Sequence, residues 1–296
     1  MHLDSTGKKT DIFSQKASVL HTGTEFGIVH PKHPQFAEQF KRLLHETRQD
    51  IILAQKLAFN TRITPIDDLS SLEIGQGMQA GEMTQIPGFY RTVEASDGVV
   101  VSLTGDTRLK TAVTIMNADC GVIEILAPNG EIAVMHGGFN NVDNPDGSSI
   151  VENAIQYFEK QGFNPSQLRF RVGEAADACC YGFKTDHPVW LQKNQERATR
   201  LQTEFGYDVA RPIETLPRKD GIGFDVSLIA ARQAEKFGVS DVVVEKLCTS
   251  CHGLDTEDMG ESDNHGTWYS NLRENPATVK ENGYGSRNAV VVYPTA

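Results

Sequence analysis

A thiol and an imidazole stand on either side of one apolar stretch, residues 112–141, AVTIMNADCGVIEILAPNGEIAVMHGGFNN. Cys120 can serve as a nucleophile or a soft metal ligand, and His136 as a base or a nitrogen ligand. The question is whether the chain brings them together. Strand-length apolar runs on either side of Pro128-Asn129-Gly130 predict a β-hairpin. With a three-residue loop, Ala127 faces Glu131, His136 lies opposite Val122, and Cys120 lies opposite Gly138. Cys120 and Val122 share a face because side chains alternate along a strand. Cys120 and His136 are then diagonal neighbours at the open end of the hairpin, with Cβ atoms about 7 Å apart or less. A two-residue Asn-Gly loop shifts the register by one and places them on opposite faces. Gly137-Gly138 ends the strand and admits backbone or substrate close to the imidazole. The competing reading is a buried Cys beside a strand-end His.

Other residues invite chemistry. Cys248-Thr249-Ser250-Cys251-His252 has the C-x-x-C-H spacing of haem attachment and half the spacing of a zinc site. With no export signal in view and no second C-x-x-C, haem and structural zinc are weak readings, although His265 could complete a set with His252. Cys179-Cys180 reads as packing, since neighbours in sequence do not readily chelate one metal. Arg273 and Arg287 are candidates to hold an anion, because a guanidinium is a planar, bidentate donor. His30 and His33, with two residues between them and Pro31 and Pro34 keeping the segment extended, read as a surface loop.

The elements that must position these groups follow from periodicity. Residues 1–20 read as a flexible, polar tail. Residues 34–58 carry apolar residues at imperfect helical spacing and predict one long or broken helix. Residues 61–112 read as short strands and loops, with 99–103 a buried strand following Asp97-Gly98. Ser148 or Ser149 caps a helix to about Gln161 that Gly162 closes; 168–172 is a strand; 188–206 is a second helix. Asp225 caps a helix over 226–237, ahead of a strand in 239–247, and 288–293 is a final strand. Strands mixed with helices and hairpins predict an α/β (α+β) domain with a mixed sheet.

In this order, the motifs resemble those of the laccase-domain family, also called polyphenol-oxidase-like or peptidoglycan editing factor-like. Asn117-Ala118-Asp119-Cys120 and His136-Gly137-Gly138-Phe139 resemble its T-A-D-C and H-A-G-W-R-G. Residues 173–181, GEAADACCY, resemble its G-P-A-I-G-P-C-C-Y-E segment. Phe224-Asp225-Val226 resembles its D-L helix start, and Cys248-Thr249, Ser270-x-x-Arg273 and Gly285-Ser286-Arg287 resemble its tail. The resemblance covers roughly residues 74–294. It implies a layered α-β-β-α domain with mixed sheets, here residues 21–296 with a diverged helical portion at 21–60. It also implies zinc-dependent purine nucleoside chemistry, with phosphorylase and adenosine deaminase activities. By this resemblance Cys120 and His136 are metal ligands and catalytic residues, and Ser270, Arg273 and Arg287 bind substrate. The family's first histidine, in Q-V-H, falls on Gln76-Gly77-Met78, so Met78 occupies the position of the third ligand. Trp and Arg of H-A-G-W-R are Phe139 and Asn140.

Three functional readings result. A metal on Cys120, His136 and a third ligand acts as a Lewis acid on a purine nucleoside, with phosphate held by arginine. Alternatively, Cys120 is the nucleophile of a metal-free cysteine hydrolase or deamidase, with His136 its base. In the third, the site has decayed and the protein binds without turnover. Composition narrows the partners. The net charge of −11, with Lys and Arg outnumbered 28 to 39 by Asp and Glu, argues against a nucleic-acid partner. No apolar run approaches a membrane span, no signal peptide is visible in the first residues, and five cysteines suit a reducing compartment. The expected location is cytoplasmic and the expected partner a small molecule.

Overall fold

The computed structural model describes residues 8–12, 17–22, 26, 29–67, 69–103, 111–183, 188–212, 221–245, 248–250, 279–281 and 287–294. Strands and helices are numbered in chain order. The first sheet has seven strands: β1 (Lys8–Ile12), β2 (Ala17–Thr22), β3 (Ile51–Ala54), β5 (Leu72–Gln79), β6 (Glu82–Thr92), β8 (Thr111–Asn117) and β16 (Asn288–Pro294). They lie in the order β1-β2-β16-β8-β3-β6-β5. The second has six, β4 (Ile63–Pro65), β7 (Gly98–Ser102), β9 (Gly121–Leu126), β10 (Glu131–Gly137), β11 (Arg169–Val172) and β15 (Asp241–Val244), in the order β15-β11-β9-β10-β7-β4. A small third sheet joins β12 (Gly182–Phe183), β13 (Ala210–Pro212) and β14 (Ile222–Phe224).

Alternation along the strands sorts the core into three layers. Val19, Leu53, Val113, Ile115 and Val290 of the first sheet meet Val99, Val101, Val122, Ile132 and Val134 of the second. On the outer face of the first sheet, Leu20, Ile52, Ala112 and Val291 cover Phe36, Phe40 and Leu43 of helix α1 (Phe36–Thr47). On the outer face of the second, Ile123, Ile125, Ala133 and Phe170 pack with α3 (Ile150–Lys160) and α5 (Val226–Lys236). The long helix α4 (Pro188–Phe205) contributes Ala198 and Leu201 to this layer. The short α2 (Phe139–Val142) follows β10 directly. The architecture is the layered α-β-β-α arrangement with mixed sheets: pairings β3–β6, β3–β8, β4–β7 and β11–β15 are parallel and the rest antiparallel.

Two expectations are corrected. Residues 8–12 and 17–22 are not a loose tail but a strand pair; β2 is buried along its whole length and pairs with β16. The long helix over 34–58 stops at Thr47, where Arg48 adopts a left-handed conformation (φ 55°). Ile51, Ile52 and Leu53 then enter a strand flanked on both sides by parallel neighbours. A run of apolar, largely β-branched residues suits a strand buried on both faces, and that burial overrides helical spacing. Other elements lie where periodicity placed them. Ser149 caps α3 by accepting the Val151 N–H, and Asp225 caps α5 by accepting that of Leu228 at 2.8 Å.

Candidate functional site

Between β8 and β9 the chain crosses from one sheet to the other in one short bend. β8 ends at Asn117 in the seven-stranded sheet, and β9 begins at Gly121 in the six-stranded one. Ala118, Asp119 and Cys120 form the step between them. The bend is held on three sides. Asn117 donates its side-chain amide to the Cys120 carbonyl, Asp119 O accepts the Ala176 N–H at 2.8 Å, and Asp119 Oδ1 accepts the Thr249 hydroxyl at 3.3 Å.

The hairpin has the register that a three-residue loop demands. Ala127 and Glu131 face each other across Pro128-Asn129-Gly130, and His136 pairs with Val122. Gly130 sits at φ +92°, a conformation that costs a glycine nothing. His136 therefore shares the inner face with Val122 and Val134, at the open end between the sheets. It is buried, with Cys120 near enough to act on its protonation.

The neighbouring strand supplies a third group. β7 pairs antiparallel with β10, Met135 opposite Gly98, so Asp97 falls opposite His136. The Asp97 carbonyl accepts the His136 N–H at 2.7 Å, and its Oδ1 lies 3.2 Å from His136 Nδ1. With Nδ1 turned to Asp97, Nε2 is the ring nitrogen left for the Cys120 sulfur. The other carboxylate oxygen, Oδ2, accepts the N–H groups of Ala58 (3.0 Å) and Asn60 (2.9 Å). Asp97 is fully buried. Burial alone would raise its pKa, but the hydrogen bonds from His136, Asn60 and Ala58 outweigh it and hold the carboxyl below its ordinary value. Burial would likewise lower the His136 pKa. The neighbouring Cys120 sulfur and the hydrogen bond to Asp97 reverse that and push it up to about 9.

Two aromatic rings frame the pair. Phe59, 65% exposed, meets the His136 ring edge to face at 5.9 Å between centroids. The Tyr181 hydroxyl lies 4.0 Å from Cys120 Sγ. Burial first, then the charge on Cys120, raises the Tyr181 pKa well above the usual phenol value, so the hydroxyl keeps its proton. The arrangement gathers a sulfur, an imidazole and a carboxylate, with a phenol O–H beside the sulfur. It can hold a thiolate–imidazolium ion pair whose imidazolium is oriented by a fixed anion.

The remaining sequence candidates are distributed unevenly. Arg287 immediately precedes Asn288, which pairs with Asn117, so it stands at the same end of the sheet as the Cys120 bend. It is half-buried and its charge bears on His30, whose pKa is lowered to about 4, chiefly by burial. Met78 is on the outermost strand β5, paired with Met83, with its N–H donated to Pro31 O. A different Gln-x-x triplet meets the hairpin: Gln55 donates to Val134 O at 2.8 Å, and Leu57 lies between Lys56 and Ala58, whose N–H groups bond Thr92 and Asp97. Ser270, Arg273, Cys251, His252 and His265 lie outside the described residues. Cys179 and Cys180, read as packing, come together with Cys248 in a set of three sulfurs within 4.8 Å of one another, which could hold a metal ion. Cys120 and His136, by contrast, belong to no such three-donor set of His, Cys, Asp or Glu among the described residues. A cleft of about 920 Å³ lies elsewhere, along α4, lined by Asp143, Lys193, Arg197 and Arg200 among others; Cys120 and His136 are not part of it.

Asp97 and Tyr181 escape a reading of the sequence. Asp97-Gly98 looks like turn chemistry before a strand; only the pairing of β7 with β10 makes it the partner of His136. The cue available in sequence is an acidic residue immediately before a strand with three consecutive valines.

A family model described as multi-copper polyphenol oxidoreductase laccase matches residues 47–255. No curated protein matches the chain. Among solved structures, the fold is similar to a hypothetical protein YfiH of Bacillus licheniformis (TM-score 0.66, 15% identity, covering 99% of this chain and 98% of that one). It is also similar to the DUF152 protein NMB0706 of Neisseria meningitidis (TM-score 0.60, 14% identity, 98% and 100% covered). YlmD from Geobacillus stearothermophilus gives a TM-score of 0.60 at 15% identity, with 96% and 93% covered.

Proposed function

The chain belongs to the multi-copper polyphenol oxidoreductase laccase family, and from that premise we propose that it is an enzyme of purine nucleosides whose reacting groups are Cys120, His136 and Asp97. The observation that carries this is the Asp97 Oδ1–His136 Nδ1 contact at 3.2 Å, which leaves the other ring nitrogen for the Cys120 sulfur.

Zinc on the hairpin does not fit the described donors. Cys120 and His136 supply two ligands with no third beside them. In this reading Leu57, and not Met78, stands where the resemblance calls for a histidine, because Gln55-Lys56-Leu57 is the triplet lying against the hairpin. An alkyl side chain at that place cannot bind a cation. The chemistry is therefore assigned to the thiolate pair.

The reaction assigned is hydrolytic deamination at purine C6. The Cys120 thiolate adds to C6, forming a C–S bond while an electron pair moves onto the adjacent ring nitrogen. The pair returns as the amino group departs, carrying off the His136 proton as ammonia. Neutral His136 then takes a proton from water as the oxygen adds to C6, and the C–S bond breaks to restore the thiolate. Overall, one water is consumed and one ammonia released. Asp97 fixes the imidazole orientation throughout, and the protonated Tyr181 hydroxyl offers the sulfur a hydrogen bond. Arg287 is assigned to an anionic or ribose-linked portion of the substrate.

Ammonia release from adenosine by the full chain tests the assignment. Turnover is expected in the parent protein and is expected to fall at least about 1,000-fold in Cys120→Ala and His136→Ala, as loss of a nucleophile or its base demands. Undiminished turnover in Cys120→Ala, or nucleoside binding by the parent with no ammonia released, overturns it.

A further inference from the structure

A second concentration of sulfur lies behind the site wall. Cys179 and Cys180 occupy the turn leading to Tyr181, in which the Cys180 and Tyr181 N–H groups both bond Asp177 O (2.8 and 2.7 Å). Cys248 reaches them from the segment beyond β15, tied in by a parallel bridge to Ala175 and by the Thr249 N–H on Ala175 O at 3.0 Å. The three sulfurs lie within 4.8 Å of one another, Cys179 and Cys180 being 3.7 Å apart. All three are thiols; Cys180 and Cys248 are buried and Cys179 half-buried.

Zinc–thiolate bonds of about 2.3 Å at a tetrahedral angle set neighbouring sulfurs about 3.8 Å apart, so the observed spacing needs only small adjustments to close on one ion. The Asp177 N–H already points at Cys248 Sγ from 3.4 Å, the kind of outer hydrogen bond that favours a ligating thiolate. Charge selects the ion. Three thiolates around a monovalent soft cation leave two net negative charges in a mostly buried site, whereas a divalent ion leaves one, at lower desolvation cost.

We propose that Cys179, Cys180 and Cys248 form a site for a single zinc ion that clamps the Tyr181 turn to the Cys248-Thr249 segment. Each ligating thiol gives its proton to solvent on binding, so affinity rises with pH. The consequence for function, which rests on the thiolate reading of Cys120, is positional. The same two segments hold Asp119 through Ala176 and Thr249, and the clamped turn sets Tyr181 against Cys120. The ion is thus expected to order the site wall without touching the substrate.

The test uses the full chain carrying Cys120→Ala and His136→Ala together, so that the hairpin offers no donors. One zinc per chain is expected by elemental mass spectrometry. Cadmium titration is expected to give an ultraviolet thiolate charge-transfer band saturating at one equivalent, with the intensity of three thiolates. Adding Cys179→Ser, Cys180→Ser or Cys248→Ser is expected to weaken zinc binding at least about 100-fold each, a loss expected for removing one of three direct ligands. No band in the double variant, unchanged zinc affinity after the serine changes, or a disulfide joining two of the three sulfurs in the metal-free chain overturns the proposal. The cadmium result needs no change to the trio itself, so it stands even where a serine variant fails to fold. Because the hairpin donors are absent throughout, these outcomes are separate from the fate of the deamination reading.

Discussion

Replacing Asp97 by Asn removes one charge and keeps the shape, which makes it a clean probe of the Asp97–His136–Cys120 group. In the native protein the His136 pKa rises from 6.5 to about 9 despite burial. That shift corresponds to about 3 kcal/mol favouring the protonated ring. A charge-assisted hydrogen bond is worth about 1.5–3 kcal/mol, or roughly one to two pKa units. Asp97→Asn is thus expected to bring His136 down to about 7–8, while the Asn oxygen still accepts from Ala58 and Asn60. At pH 8 the protonated fraction then falls from about nine-tenths to between one-half and one-tenth. Nuclear magnetic resonance of the His136 ring reads the midpoint directly, and the iodoacetamide alkylation rate of Cys120 at pH 8 should fall with it. Stability carries a signature of definite sign. A folded-state pKa above the unfolded one gives stabilisation that is complete below about pH 6.5 and lost as pH rises through about 9. The parent's advantage over Asp97→Asn should therefore be largest on the acid side and shrink across that window in urea melts. A His136 midpoint that moves by less than about 0.5 unit in Asp97→Asn refutes the idea that this carboxylate holds the proton on the ring.

Two further changes test the surroundings. A Cβ on Gly138 would meet Asn141 Oδ1 at 2.7 Å and His136 Cε1 at 3.1 Å. Gly138→Ala is therefore expected to lower kcat/KM for ammonia release about tenfold at a cost of only about 1–3 kcal/mol in urea stability; unchanged kinetics would show that the imidazole position is not critical. Glu124 is buried between the sheets against Arg171 (3.2 Å), and burial outweighs the arginine to raise its pKa from 4.5 to about 7. Because the folded protein holds this proton longer than the unfolded chain, the stability of the parent relative to Glu124→Gln should decline as pH rises from about 4.5 to 7. Parallel pH profiles for the two proteins would argue against a raised Glu124.

Local signals account for a definite share of what was legible beforehand. The hairpin was readable because Pro128-Asn129-Gly130 marks its loop and a period of two dictates which side chains share a face, but the Cys120–His136 juxtaposition was conditional on a loop of three residues and not two, which the observed register decides. The helix caps Ser149 and Asp225 were readable for the same reason: a cap bonds backbone two or three residues away. Pairings between distant strands had no such signal. Residues 51–54 look helical by spacing and become a strand only because β6 and β8 close on both edges. Residues 17–22, polar in context, are buried by β16 from the far end of the chain. The same holds at the site. Asp97 joins His136 through the β7–β10 pairing, Gln55 reaches the hairpin just beyond β3, and Cys248 meets Cys179 and Cys180 across the bridge to Ala175. A sequence fixes the chemistry of each group and its neighbours within a turn or two. Which carboxylate, phenol or third thiol stands opposite is decided by burying both faces of two sheets at once, a condition satisfied only by the whole chain.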